Sequence, residues 1–162
     1  MDEVLENGNF KLRFLRTSAD TDGALLEVEA TYGPWSKPPP RHHHPLQEER
    51  FKVTRGGLLF WVDGASRVVS AGKEIVIPPG ASHQASNAGS EPAVVIWQTR
   101  PALETEALFR AIHALGSKRN VLDLAVLLRK HRQEMVLSRP GPVVQSCVFG
   151  MLAAVARLSG RQ

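Results

Sequence analysis

Arg41-His42-His43-His44-Pro45-Leu46-Gln47-Glu48-Glu49-Arg50-Phe51-Lys52-Val53-Thr54-Arg55-Gly56 is the stretch whose reading decides the fold. Glu49, Phe51 and Val53 fall on one face of an extended chain, and Glu48, Arg50, Lys52 and Thr54 on the other. A period of two with one apolar face describes a strand lying between a core and water. Glu49 is then the inward carboxylate and Glu48 a solvated neighbour. By the same parity His42 and His44 share a face and His43 points away. A lone inward histidine such as His83 reads as a hydrogen-bonded core residue. Two inward imidazoles beside an inward carboxylate need more, because a buried charge without a partner is costly. A metal held by His42, His44, Glu49 and His83 would offset that cost for all of them at once.

Outward from this stretch, residues 9–99 keep the same texture. Short β-like runs at 11–15, 25–30, 50–54, 58–62, 67–69, 74–77 and 93–98 are separated by turn signals such as Asp22-Gly23, Gly56-Gly57 and Ala71-Gly72. Val62-Asp63-Gly64-Ala65 predicts a tight hairpin, since Asp-Gly accepts the positive φ of a type I′ turn. Many short, closely spaced strands argue for an antiparallel sandwich or barrel.

After Pro101 the pattern becomes helical. Leu108, Ile112 and Leu115 share a face ending at Gly116, a C′ glycine. Val121, Leu124, Ala125, Leu128 and Met135 mark a second amphipathic helix, and Pro142 opens a third running to about Ser159. Residues 1–8 read as a flexible N-terminus, 9–100 as the barrel, and 101–162 as a helical extension packing on the barrel or on a dimer partner. His113 and His131 are expected to be solvated helix residues.

The net charge of +4 is unevenly spread. Residues 1–99 hold ten Lys/Arg against twelve Asp/Glu, and residues 100–162 ten against four. The basic extension raises nucleic acid as a partner, but the second helix spends its length on apolar residues and leaves a poor recognition surface. The apolar segment 143–158 would span only about 22 Å as a helix, short for a membrane crossing; contact with a membrane surface is the less favoured reading. One cysteine, Cys147, excludes an internal disulfide framework and fits a reducing compartment. The polar, acidic start Met1-Asp2-Glu3 does not read as a signal peptide, so a cytoplasmic location is expected. No Gly-rich phosphate loop, Gly-x-Ser-x-Gly elbow or Cys-x-x-Cys pair competes with the histidine cluster.

The same residues carry a family resemblance. His42-x-His44, four residues, Glu49, six residues and Gly56 match the first motif of the cupin superfamily. Gly72, Pro78, Gly80, His83 and Asn87 match its second motif at every position. The six-residue spacing to Gly56 selects Glu49, in agreement with strand parity. One departure is visible: Ser36 stands where the first motif has its leading glycine, with Gly33 nearby and a stiff Lys37-Pro38-Pro39-Pro40 run following. The chain resembles a small single-barrel cupin with a C-terminal helical extension. This implies an all-β jelly-roll barrel, a double-stranded β-helix, and a homodimer as the expected assembly.

Three imidazoles and a carboxylate suit one divalent Fe, Mn, Ni, Co, Cu or Zn ion and leave about two positions of a six-coordinate metal open. The leading expectation is a metal-dependent, dioxygenase-like enzyme acting on a small organic molecule. The alternatives are a metal-dependent isomerase and a non-enzymatic ligand-binding or sensory module. Phe51 and Val53 are candidate pocket residues. On the last strand Val95, Trp97 and Thr99 share one face and Val94, Ile96 and Gln98 the other, so Trp97 and Gln98 are pocket candidates from opposite faces. Trp35, just before the histidine stretch, is placed at the mouth, although core packing is the default role of such aromatics. Gly56, Gly72, Pro78, Gly80 and Asn87 are expected to shape turns, not to bind metal.

Overall fold

A computed structural model describes residues 3–116 and 121–138. Alternation in the sequence becomes alternation in burial. Strand β3 (Leu26–Tyr32) buries Leu26, Val28, Ala30 and Tyr32 and leaves the residues between them half-exposed. Strand β5 (Glu48–Arg55) buries Glu49, Phe51 and Val53 on one face. The other strands are β1 (Val4–Asn7), β2 (Phe10–Arg16), β4 (His42–His43), β6 (Gly57–Val62), β7 (Ala65–Ser70), β8 (Glu74–Ile77), β9 (His83–Ser86), β10 (Ala93–Arg100) and β11 (Val136–Leu137). Two helices, α1 (Thr105–Leu115) and α2 (Val121–Lys130), follow the barrel strands.

Every strand pairing is antiparallel. One sheet runs β1-β2-β3-β10-β5-β8 and the other β11-β4-β9-β6-β7. Their inner faces meet in a core of Ala30, Tyr32, Phe51, Val53, Leu58, Phe60, Ile75, Ile77 and Val95, the arrangement of two packed layers that hides both apolar faces. The result is a jelly-roll barrel with a helical extension. The hairpin at Asp63-Gly64 has φ of 46° and 95°, the left-handed conformation that a type I′ turn requires.

The six-stranded sheet is longer than its partner can cover. Beyond the main core, Leu26 and Val28 on the same face of β3 pack instead with Leu5, Leu12 and Ala102, flanked by Phe14, Trp97 and Phe109. Phe109 of α1 lies 5.0 Å from the Trp97 ring, and Leu108 beside it is buried. Helix α1 therefore lies on the barrel, with Arg110 paired to Glu3 and Glu106 at its solvent side.

Three expectations need correction. Val4–Asn7 are not a flexible tail: they pair with β2, and Leu5 is buried. The second helix does not reach Met135; it ends at Lys130, and the chain turns back so that β11 pairs with β4. His131 is not solvated but 1% exposed, and His113 is half-buried with Nε2 3.1 Å from the Glu6 carbonyl. Apolar periodicity alone could not tell a helix that continues from a strand that turns back to find a partner. The expected third helix lies outside the described residues. Among the described residues no helix is long and apolar enough to cross a membrane.

Candidate metal centre

The histidine strand is short because prolines bracket it: Pro38-Pro39-Pro40 lead in and Pro45 follows, and none can donate to a ladder. Within that window His42 pairs with His83 across β4 and β9. Gly80, at φ 81°, lets the turn after Pro78 bring its N–H 2.9 Å from the His44 carbonyl. Two ligand-bearing segments far apart in sequence are thereby locked side by side.

The ring nitrogens of His42, His44 and His83 lie within 4.8 Å of one another, a possible three-histidine metal site. His43 is not in this cluster; it sits in the pairing of β4 with Val136. Each imidazole is braced through Nδ1 by a backbone carbonyl: His42 by Pro40 at 2.8 Å, His83 by Ala81 at 3.0 Å, and His44 by Glu134 in a short contact. A carbonyl only accepts, so each Nδ1 carries the proton, and in a neutral ring Nε2 is the nitrogen left able to coordinate.

Glu49, fully buried, stands against two of these nitrogens. Its Oε1 is 3.2 Å from His44 Nε2 and its Oε2 is 2.9 Å from His83 Nε2. Neither contact has the alignment of a hydrogen bond, and His44 Nε2 and Glu49 Oε2 are buried polar atoms without a hydrogen-bond partner. Such orphans are costly, and their convergence with the other two imidazoles fits a divalent cation bound by nitrogen and oxygen donors. The Trp97 indole N–H donates to Glu49 Oε1 at 3.0 Å and holds the carboxylate in place.

The electrostatics divide the cluster. Burial pushes His42 down to about 4, helped by the charges of His83 and His44. Burial also disfavours the His44 cation, but the Glu49 charge and the Glu134 carbonyl outweigh it and its pKa is raised. Burial would raise the Glu49 carboxyl, yet the neighbouring His44 charge holds it far below the usual carboxylate range. The buried carboxylate thus favours the cation of His44, while burial disfavours that of His42.

Of the pocket candidates, Trp97 is on the site's side of β10, stacked 5.1 Å from Phe51. Phe51 and Val53 are core residues, 3% and 0% exposed. Gln98 is on the opposite face: it bonds Glu27 and accepts from Arg100 at 2.8 Å. Trp35 is 68% exposed, and its N–H meets Gly89 beyond the far end of β9 from His83, so it is neither core nor at the histidine end.

The motif residues behave as shapers. A Cβ on Gly56, at φ 71°, would come within 3.0 Å of the Pro92 carbonyl oxygen. Gly72, also at positive φ, donates its N–H to Val53, and Pro78 accepts from Ala81. Asn87 ties its loop together through Tyr32, Glu91 and Gly89. Ser36, the departure from the first motif, accepts from the Asn87 N–H at 2.9 Å.

Two contributors escaped the sequence reading. Gln47, 1% exposed, donates to Pro101, Ala102 and Thr105 and pins the start of the extension beside the ligand loop. Its parity with Glu49 was a usable signal. Glu134 gave none, because its carbonyl meets His44 across 90 positions of sequence. A cleft of about 370 Å³ is bordered by Glu134, Arg129 and Arg132, not by the histidines.

Comparison with known proteins agrees with this fold. Residues 28–99 match the cupin domain family. Solved structures with the same fold include KdgF from Halomonas sp. (16% identity, TM-score 0.56, covering 64% of this chain and 92% of that one). An RmlC-like cupin from Shewanella frigidimarina shares 22% identity at a TM-score of 0.55, over 65% of this chain and 89% of that one. Oxalate decarboxylase from Lactobacillus farciminis shares 20% at 0.54, over 67% and 35%. No curated protein matches. Residues 28–99 thus match a cupin domain in sequence, and the solved structures share the fold of the barrel.

Proposed function

We propose that His42, His44, Glu49 and His83 together hold one divalent transition metal and that the protein is a metal-dependent, dioxygenase-like enzyme acting on a small organic molecule. The observation that carries the metal reading is the clustering of three histidines, each braced through Nδ1, two of which set Nε2 against one buried carboxylate. A bound metal would supply Lewis acidity and open positions for substrate or dioxygen. The protein's own part is orientation. Trp97 fixes Glu49, Phe51 stacks behind Trp97, and His42, the least buried of the three histidines, marks the side open to a ligand.

Metal analysis of protein purified without a histidine tag tests the site: about one equivalent per chain is expected, and a metal-free native protein refutes it. Dioxygen consumption with candidate substrates tests the chemistry. Anaerobic turnover would point instead to the isomerase reading. A ligand-binding or sensory role has one observation in its favour, the contact between His44 and the extension; it predicts ligand binding without turnover.

A further inference from the structure

We infer that segment 131–138, beyond the cupin domain, is a positioning element of the metal centre, so that metal affinity depends on how the helical extension is seated. This rests on the metal-binding reading above and adds a residue-level cause to it.

Four contacts converge on the ligand-bearing segments. The Glu134 carbonyl accepts from His44 Nδ1, and β11 pairs Val136 with His43 and Leu137 with His42. Ser138 donates its N–H to the Arg41 carbonyl at 2.8 Å, and its hydroxyl meets that of Ser82, next to His83, at 2.6 Å. The segment thus touches both sides of the ligand pair.

Its other side is anchored in the extension. Glu134 Oε1 accepts from the Glu104 N–H at the start of α1, at 3.3 Å. The N–H groups of Glu134 and Met135 both close on the His131 carbonyl, and His131 and Glu134 are 1% and 5% exposed. A barrel without this segment would leave the His44 Nδ1–H with no acceptor, free to turn its Nε2 away from the site. A segment that merely covered the edge of β4 would affect stability and leave metal affinity alone.

Coupling of this kind is reciprocal. If the segment holds the ligands for the metal, the metal must hold the segment. The test is amide hydrogen exchange on the full-length, tag-free protein with and without Zn(II). Exchange at Val136–Ser138 is expected to slow about tenfold, the lower end of the usual worth of such ligand-orienting contacts. Strand β7, the opposite edge of the same sheet, should change much less. The slowing should vanish in His83→Ala, whose substitution lies outside the segment.

Equal slowing in β7, or none at Val136–Ser138 while Zn(II) binds, overturns the inference and leaves the metal site standing. Failure of the wild type to bind Zn(II) refutes both. Val136→Pro, which breaks the pairing with His43, should weaken Zn(II) binding about 10- to 100-fold in chelator competition. Unchanged affinity in a folded Val136→Pro variant overturns the inference, and if that variant does not fold, the exchange experiment decides alone.

Discussion

His42 and His83 are each braced by a carbonyl two residues earlier, Pro40 and Ala81, whereas His44 is braced by Glu134, 90 residues later. The first two owe their orientation to their own loops. The third owes it to the arrival of the helical extension. The same imidazole chemistry therefore rests on two kinds of support, one local and one dependent on closing a long stretch of chain. His42 and His44 also differ electrostatically: burial pushes the His42 pKa down, while the Glu49 charge raises that of His44.

The largest expected effect comes from removing what His44 and His83 share. Glu49→Ala should reduce metal content from about one equivalent to below a tenth, read by elemental analysis of tag-free protein; retention of a full equivalent would show that the histidines suffice. Next is Trp97→Phe, which keeps an aromatic ring against Phe51 but removes the donor to Glu49. Metal affinity should fall about tenfold and stability by about 1 kcal/mol, measured by chelator competition and denaturant unfolding. An unchanged affinity would mean that the carboxylate needs no guide.

The pH dependence sharpens the comparison itself. His42 has its pKa depressed from 6.5 to about 4, so below pH 6.5 the unfolded chain takes up a proton that the folded one refuses until about pH 4. Its contribution therefore lowers stability as pH falls through that window. His44, with a raised folded pKa, has the opposite sign: its stabilisation is complete below 6.5 and is lost as pH rises through its folded value. Imidazole proton shifts of the metal-free protein should give His42 a midpoint near 4 and His44 one above 6.5; the reverse order would break the division drawn here. The smallest effect is expected for His43→Ala. It leaves the three clustered histidines in place and should change metal affinity by less than about twofold, within the range usual for a side chain away from a ligand set.

Much of this was legible in advance because its causes are local. The parity of Glu49, Phe51 and Val53 identified the inward face, and β5 buries that face. Asp63-Gly64 announced its hairpin, and run 74–77 is a strand with the same bounds. Trp97 and Gln98 were on opposite faces by parity, but which face met the site depended on packing with β3 and β5. The fate of residues after Lys130 was illegible, because a two-residue strand exists only where a partner strand offers it hydrogen bonds.

By itself the sequence determined the barrel and the cluster of three histidines with a glutamate, since both follow from period-two alternation and from short-range rules on glycine and proline. Only the tertiary structure decided which neighbours hold those side chains. Trp97 reaches Glu49 across 48 positions, and the Glu134 carbonyl reaches His44 across 90. A backbone carbonyl is the same group at every residue, so nothing in the letters of the sequence distinguishes the one that folding brings to a ligand.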